Sequence, residues 1–233
     1  MSVSDVPATP ATASSWRLLY KLAVVGAILV VCVMPAQAAV FLISPPPQTV
    51  LGFFELFRHN PLLGMLDLDL LLTIDYLAMI PLYLALFVLV REFSASAAAL
   101  GLVTGLFSLV LFFVTRDATF SMWQLSTQYA TATDPAQAAA LLAAGQMLLT
   151  SYNGGTFTLS YLLGAASTLI YSATMLKHRI FGRAVGVVGI ITGVTMLVPA
   201  NLGPIGLTVA MLSLIPTAVW LVLIARAMRR ISR

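Results

Sequence analysis

Charge is what this sequence has least of. Only 9% of its residues are Asp, Glu, Lys or Arg, against about 25% in an ordinary soluble domain, so most of its surface must meet something other than water. It has one cysteine, Cys32, which excludes an internal disulfide and any cysteine-rich metal site. Set within an apolar run, Cys32 reads as a small buried hydrophobe. The two histidines, His59 and His178, flank different apolar runs, and no His-x-x-x-His or Glu-x-x-His spacing occurs, so no metal set is expected. A Gly-Lys-Ser/Thr phosphate loop and a βαβ dinucleotide setting are also missing, and no cofactor is expected. With so few titratable groups, a pocket that gathers several of them for catalysis is improbable, and a Ser/His/Asp triad would lack a histidine near its serines.

What fills the chain instead is apolar sequence, 60% of the total. Runs of about 20 apolar residues cross a bilayer as helices. They fall at about 22–43, 68–90, 95–114, 155–176, 184–200 and 205–225, and predict an all-α integral membrane protein with a bundle of six transmembrane helices. Residues 1–15 are mostly Pro, Ser, Thr and Ala without apolar period, and read as a disordered cytoplasmic tail. Residues 16–233 read as a single membrane domain. The first run, with Arg17 and Lys21 before it and Ala36-Gln37-Ala38 inside it, imitates a cleavable signal peptide. It continues apolar through Ile43, and a retained span is the expectation.

The basic residues set the orientation. Arg17, Lys21, Arg91, Lys177, Arg179, Arg183, Arg226, Arg229, Arg230 and Arg233 flank one set of run ends, while Arg58 and Arg116 alone flank the other. The positive-inside rule then places both termini in the cytoplasm and the chain in the cytoplasmic membrane. The net charge of +4 comes from these clusters, which suit anionic headgroups and not nucleic acid. On the outer side, Thr49 to His59 is too short to span and reads as an interfacial helix. Asp134-Pro135-Ala136-Gln137 is a helix-start signal. It predicts a helix from Pro135 to about Thr150, preceded by another at Thr119 to Ala130, together an outer helical hairpin.

The wording of several segments is similar to that of a known family. Leu51-Gly52-Phe53-Phe54-Glu55, Asn60-Pro61-Leu62-Leu63-Gly64, Ile74-Asp75-Tyr76 and Ile80-Pro81-Leu82 carry the likeness, with Ala139 to Gln146, Ser160-Tyr161-Leu162-Leu163-Gly164 and Lys177 to Ile191. The chain resembles a bacterial and archaeal multi-span membrane family catalogued as domain of unknown function 4386. The resemblance implies a multi-span fold and assigns no activity or functional residue.

Site candidates therefore rest on physics. Asp75 lies seven residues beyond Leu68, roughly 10 Å inside the hydrocarbon edge, where a carboxyl marks a functional-site hypothesis by default. The expected role is structural, an ion pair with Arg116 or, failing that, Arg58, or a hydrogen bond from a tyrosine; a proton relay is the alternative. Asp67 and Asp69 fall at the outer boundary and read as ordinary solvated acids. Asn153, Thr156, Ser160, Gly164, Ser167, Tyr171 and Thr174 recur at spacings of 3 and 4 on one helix face. With Tyr161, they are candidates to line a cavity, although packing is the better reading. Gly101 and Gly105, and Gly182, Gly186, Gly189 and Gly193, read as helix-packing glycines.

The leading functional expectation is a non-enzymatic binding or accessory protein for a lipid-like or other apolar ligand or for a membrane partner, alone or as an oligomer. The alternative is a proton-coupled transporter or channel working through Asp75, and the weakest reading is an intramembrane enzyme.

Overall fold

A computed structural model describes residues 16–232; the expected tail at 1–15 and Arg233 lie outside the described residues. Among these there is no strand, and ten helices follow one another: α1 Arg17–Ile43, α2 Val50–His59, α3 Pro61–Asp67, α4 Leu70–Val90, α5 Ala95–Thr115, α6 Ala118–Thr131, α7 Pro135–Tyr152, α8 Gly155–His178, α9 Arg183–Thr195 and α10 Gly203–Ile231.

Six of them close a ring. Around it α1 packs on α4, α4 on α5, α5 on α8, α8 on α9, α9 on α10, and α10 back on α1. Short connections reverse the chain at one end of this bundle, where Arg91 lies over the Trp16 ring and the rings of Phe93 and His178 approach within 5.6 Å. We call this the basic end. Close packing is secured by small residues, as expected where lipid supplies no hydrophobic drive between helices. A Cβ on Gly26 of α1 would strike the Ala78 carbonyl of α4, and one on Gly101 of α5 would come within 2.8 Å of the Tyr171 ring of α8.

Five helical stretches are long and apolar enough to cross a membrane: 17–43, 70–90, the α5–α6 stretch 95–131, the α7–α8 stretch 135–178, and 203–231. The helix-bundle membrane class is as expected, but the fifth expected span, 184–200, is realised only as the 13 residues of α9. At about 20 Å these fall short of a hydrocarbon core of about 30 Å. The helix stops at Thr195 because Pro199 lacks a donor and restricts the residue before it, so the apolar Met196 to Val198 continue as a turn. Many large apolar side chains face outward, among them Val25, Val103, Phe107, Leu159 and Leu212, as a lipid-facing surface requires. Cys32 belongs to that surface: it is exposed, contrary to the buried position its apolar context suggests.

The other end carries a cap of α2, α3, α6 and α7. Both helices of the hairpin form, α7 starting where Asp134 accepts the Ala136 N–H at 3.0 Å with Pro135 in the first turn. Segment 49–59 does not lie alone at an interface. Thr49 caps α2, whose Phe53, Phe54 and Phe57 are buried with Leu68 and Met122 in a second apolar core beneath the hairpin. Asn60 both ends α2 and caps α3 through the Leu63 N–H at 3.1 Å, creating a short helix that the Asn-Pro turn signal does not announce.

Burial within the ring is uneven along its axis. The apolar core fills the half toward the basic end, with Tyr20, Ala23, Leu86, Val90, Met175, Trp220, Ile224 and Met228 fully packed. In the half toward the cap, each ring helix buries a polar residue: Gln37, Asp75, Ser108, Ser160, Thr192 and Ser213.

Candidate functional site

The joint between α3 and α4 is the best-anchored point of the chain. Asp69 adopts a left-handed conformation (φ +64°) that breaks the helix and turns its carboxylate inward. There Arg116, at the end of α5, meets it at 2.9 Å, both side chains being almost wholly buried. The Tyr152 hydroxyl of α7 donates to the same Asp69 oxygen at 2.6 Å, and Arg116 Nη1 donates to the Tyr152 carbonyl at 3.2 Å. Rings enclose the guanidinium, with Tyr152, Phe112 and Phe157 centroids at 4.0, 4.5 and 4.9 Å. One residue earlier, the Leu68 carbonyl accepts the Thr119 hydroxyl of α6 at 2.5 Å, and at Leu66 the carbonyl accepts the Gln37 amide of α1 at 3.2 Å. Side chains from α1, α6 and α7, and from the end of α5, thus converge on residues 66–69.

This geometry corrects two expectations. Asp69 is not a solvated boundary acid, because the short α3 folds it under the cap. And Arg116 is the partner of Asp69, not of Asp75, its remaining surface being closed by aromatic rings. Arg58, the other candidate partner, is exposed on α2.

Asp75 is left with nothing. Its side chain is 3% exposed, and neither carboxylate oxygen has a hydrogen-bond partner. No tyrosine supplies one either: next to it, Tyr76 stacks on Phe112 of α5 with centroids 3.5 Å apart. Other buried groups share the condition, among them the Ser172 hydroxyl and the Trp220 indole nitrogen toward the basic end and, nearer the cap, Asp67 and Gln37. Both oxygens of Asp67, 2% exposed, are unpartnered, as is the amide oxygen of Gln37, 4% exposed. Burial without a partner pushes the Asp67 carboxyl, which lies outside the spanning helices, up to about 6. Sequence reasoning passed over Gln37, Asp67, Asp69 and Tyr152. The available signals were a lone amide within an apolar run and the Asp-x-Asp doublet beside a span.

The polar stripe of α8 meets α5. Ser160 donates to the Ser108 carbonyl and Ser108 to the Ser160 carbonyl, each at 2.8 Å, while Ser167 donates to the Gly101 carbonyl at 2.6 Å. The Tyr171 hydroxyl lies 3.3 Å from the Ala98 carbonyl. Asn153 is exposed and Thr156 and Tyr161 are half-buried; the Asn153 carbonyl accepts Asn201 at 2.7 Å, tying the start of α8 to the turn before α10. Of the glycines singled out above, Gly105, Gly186, Gly189 and Gly193 are like Gly101 pressed against neighbouring side chains, whereas Gly182 has nothing near it and serves instead a turn at φ +87°.

Around Asp69 and Arg116 the arrangement can fasten the cap to the bundle. At Asp75 it leaves a buried carboxyl without a partner. No curated protein and no solved structure matches the chain. The family model described as a domain of unknown function, DUF4386, matches residues 18–228, nearly the whole chain, which therefore belongs to that family.

Proposed function

We propose that the protein is a proton-coupled membrane carrier in which Asp75 takes up and releases the proton. The observation that supports this is the carboxyl itself, buried on a helix long and apolar enough to span, with both oxygens unpartnered. An intramembrane acid is costly, and those that serve structure are paired. Here the available arginine is committed to Asp69. A carrier fits better than an open channel because the apolar core closes the bundle toward the basic end. Three consecutive ring members, α4, α1 and α10, contain an internal proline, Pro81, Pro35 and Pro216, each a point at which a helix can bend. By the distribution of basic residues, the basic end and both termini are cytoplasmic and the cap is outside.

The test is proton flux in proteoliposomes under an imposed pH gradient. Wild-type protein should carry a flux that Asp75→Asn abolishes while its melting temperature in detergent stays within about 2 °C, the shift of less than 1 kcal/mol in a domain of this size. A wild-type flux no greater than that of empty liposomes, with Asp75→Asn melting well below wild type, would overturn the reading.

A second reading, a binding or accessory role, draws on α7. Its 18 residues contain no charge and bury only Gly145, a surface suited to lipid or to a membrane partner.

A further inference from the structure

We propose that Asp67 and the free amide oxygen of Gln37 form the proton-uptake site that feeds Asp75 from the cap end of the bundle. This rests on the reading of Asp75 as the carrier group. The residues around Asp67 are all committed: Leu66 and Leu68 hold side chains of α1 and α6 on their carbonyls, and Asp69 holds Arg116 and Tyr152. Asp67, equally buried, holds nothing. The Gln37 NH2 group is fixed on the Leu66 carbonyl, one residue from Asp67, and its oxygen can only accept. A carboxylate and an amide oxygen brought to one joint by the Gln37–Leu66 bond, both buried and neither with a donor, lack the same thing, an O–H. Protonation of Asp67 supplies it.

Other titratable groups do not compete: on α2 and at the start of α6, which pack against α3, Glu55, Arg58, His59 and Asp117 are exposed, and Tyr129 of α6 packs on Phe54. Between Lys21 and Ile43, α1 offers only Cys32, which is exposed. Arg116 and Tyr152, from α5 and α7, are bound to Asp69. On α4 the Tyr76 ring is stacked on Phe112, and on α8 Tyr171 is directed at the Ala98 carbonyl. With its carboxyl pushed up to about 6, Asp67 exchanges its proton near neutral pH. Toward the basic end the core is mostly apolar, and the buried unpartnered groups within it, the Ser172 hydroxyl and the Trp220 indole nitrogen, are not acids.

The transfer balances simply. A hydronium ion from water at the cap end gives its proton to the Asp67 carboxylate and becomes water. The new O–H bond then breaks and a water carries the proton onward to an Asp75 oxygen, leaving Asp67 a carboxylate and Asp75 an acid. Asp75 lies five residues beyond Leu70, about 8 Å along α4 from the joint that carries Asp67, and water carries the proton across this interval.

The test is a pH jump on the full chain in lipid nanodiscs, followed by time-resolved infrared absorption of the Asp75 carboxyl, the band that Asp75→Asn removes. Asp67→Asn should slow the rise of this band by an order of magnitude or more and leave its final amplitude unchanged. Gln37→Leu, which removes the oxygen and preserves the bulk, should slow it in the same direction and reads the site alone if Asp67→Asn fails to fold. A rise at the wild-type rate in both variants overturns the uptake site and leaves Asp75 as the carrier. An Asp75 carboxyl that does not respond to pH at all overturns both.

Discussion

Removal of Asp69 should cost more than removal of any other single carboxylate. In Asp69→Leu the Arg116 guanidinium stays buried, 4% exposed, with its Nε already lacking a partner and only the Tyr152 carbonyl and three rings left against it. An uncompensated buried charge of this kind typically costs about 3–5 kcal/mol. At about 2–4 °C per kcal/mol for a chain of this size, the melting temperature should fall by about 6–20 °C. Arg116→Met leaves the reverse defect, a buried carboxylate with the Tyr152 hydroxyl as its one donor, and should cost a similar amount. The double variant Asp69→Leu, Arg116→Met removes both charges and should recover much of the loss, since an apolar pair of similar volume is often neutral. The assay is thermal unfolding in detergent by circular dichroism, read as a double-mutant cycle. Single losses that simply add in the double variant would show that the pair does not fasten cap to bundle.

Tyr152→Phe deletes one hydrogen bond to a charged group and should cost about 1.5–3 kcal/mol in the same melts. Gly26→Ala places a methyl into the Ala78 carbonyl and should destabilise by about 1–3 kcal/mol, whereas Gly155→Ala, with open space around it, should not destabilise. Asp67 is driven toward its acid form by folding, from an unfolded value of 3.8 to about 6. The native state therefore binds the extra proton, and stability should fall as pH rises through that window and level off above it, a slope that Asp67→Asn should flatten in melts taken from about pH 4 to about pH 8. In a Cys32→Ser background, Gln128→Cys in the cap and Arg230→Cys at the basic end should label from opposite sides of the membrane; labelling from one side would break the proposed orientation.

Much of the fold was legible because apolar run length and helix-start chemistry act locally. The Asp134-Pro135 start and the helix beginnings at Ala95 and Gly155 appear where the sequence puts them. What was not legible depends on packing. The polar face of α8 follows from spacings of 3 and 4, but nothing in those spacings says that its hydroxyls meet α5 carbonyls. Depth counting selects Asp75 over Asp69 as the acid in need of a cation. The structure reverses the pairing, because α3 and the left-handed turn at Asp69 bury that carboxylate against Arg116. Gln37 was hidden by its Ala-Gln-Ala setting, which reads as a processing signal, although as a buried amide in an apolar helix it had to find a partner.

The central claim, that Asp75 is a free carboxyl exchanging its proton within the bundle, meets its most direct test in equilibrium infrared titration of the chain in nanodiscs. Wild type minus Asp75→Asn should show one carboxylic-acid band that shifts in deuterium oxide and converts to carboxylate as pH is raised. A difference spectrum without a convertible band, the carboxyl locked in one state at every pH at which the protein stays folded, would contradict the account.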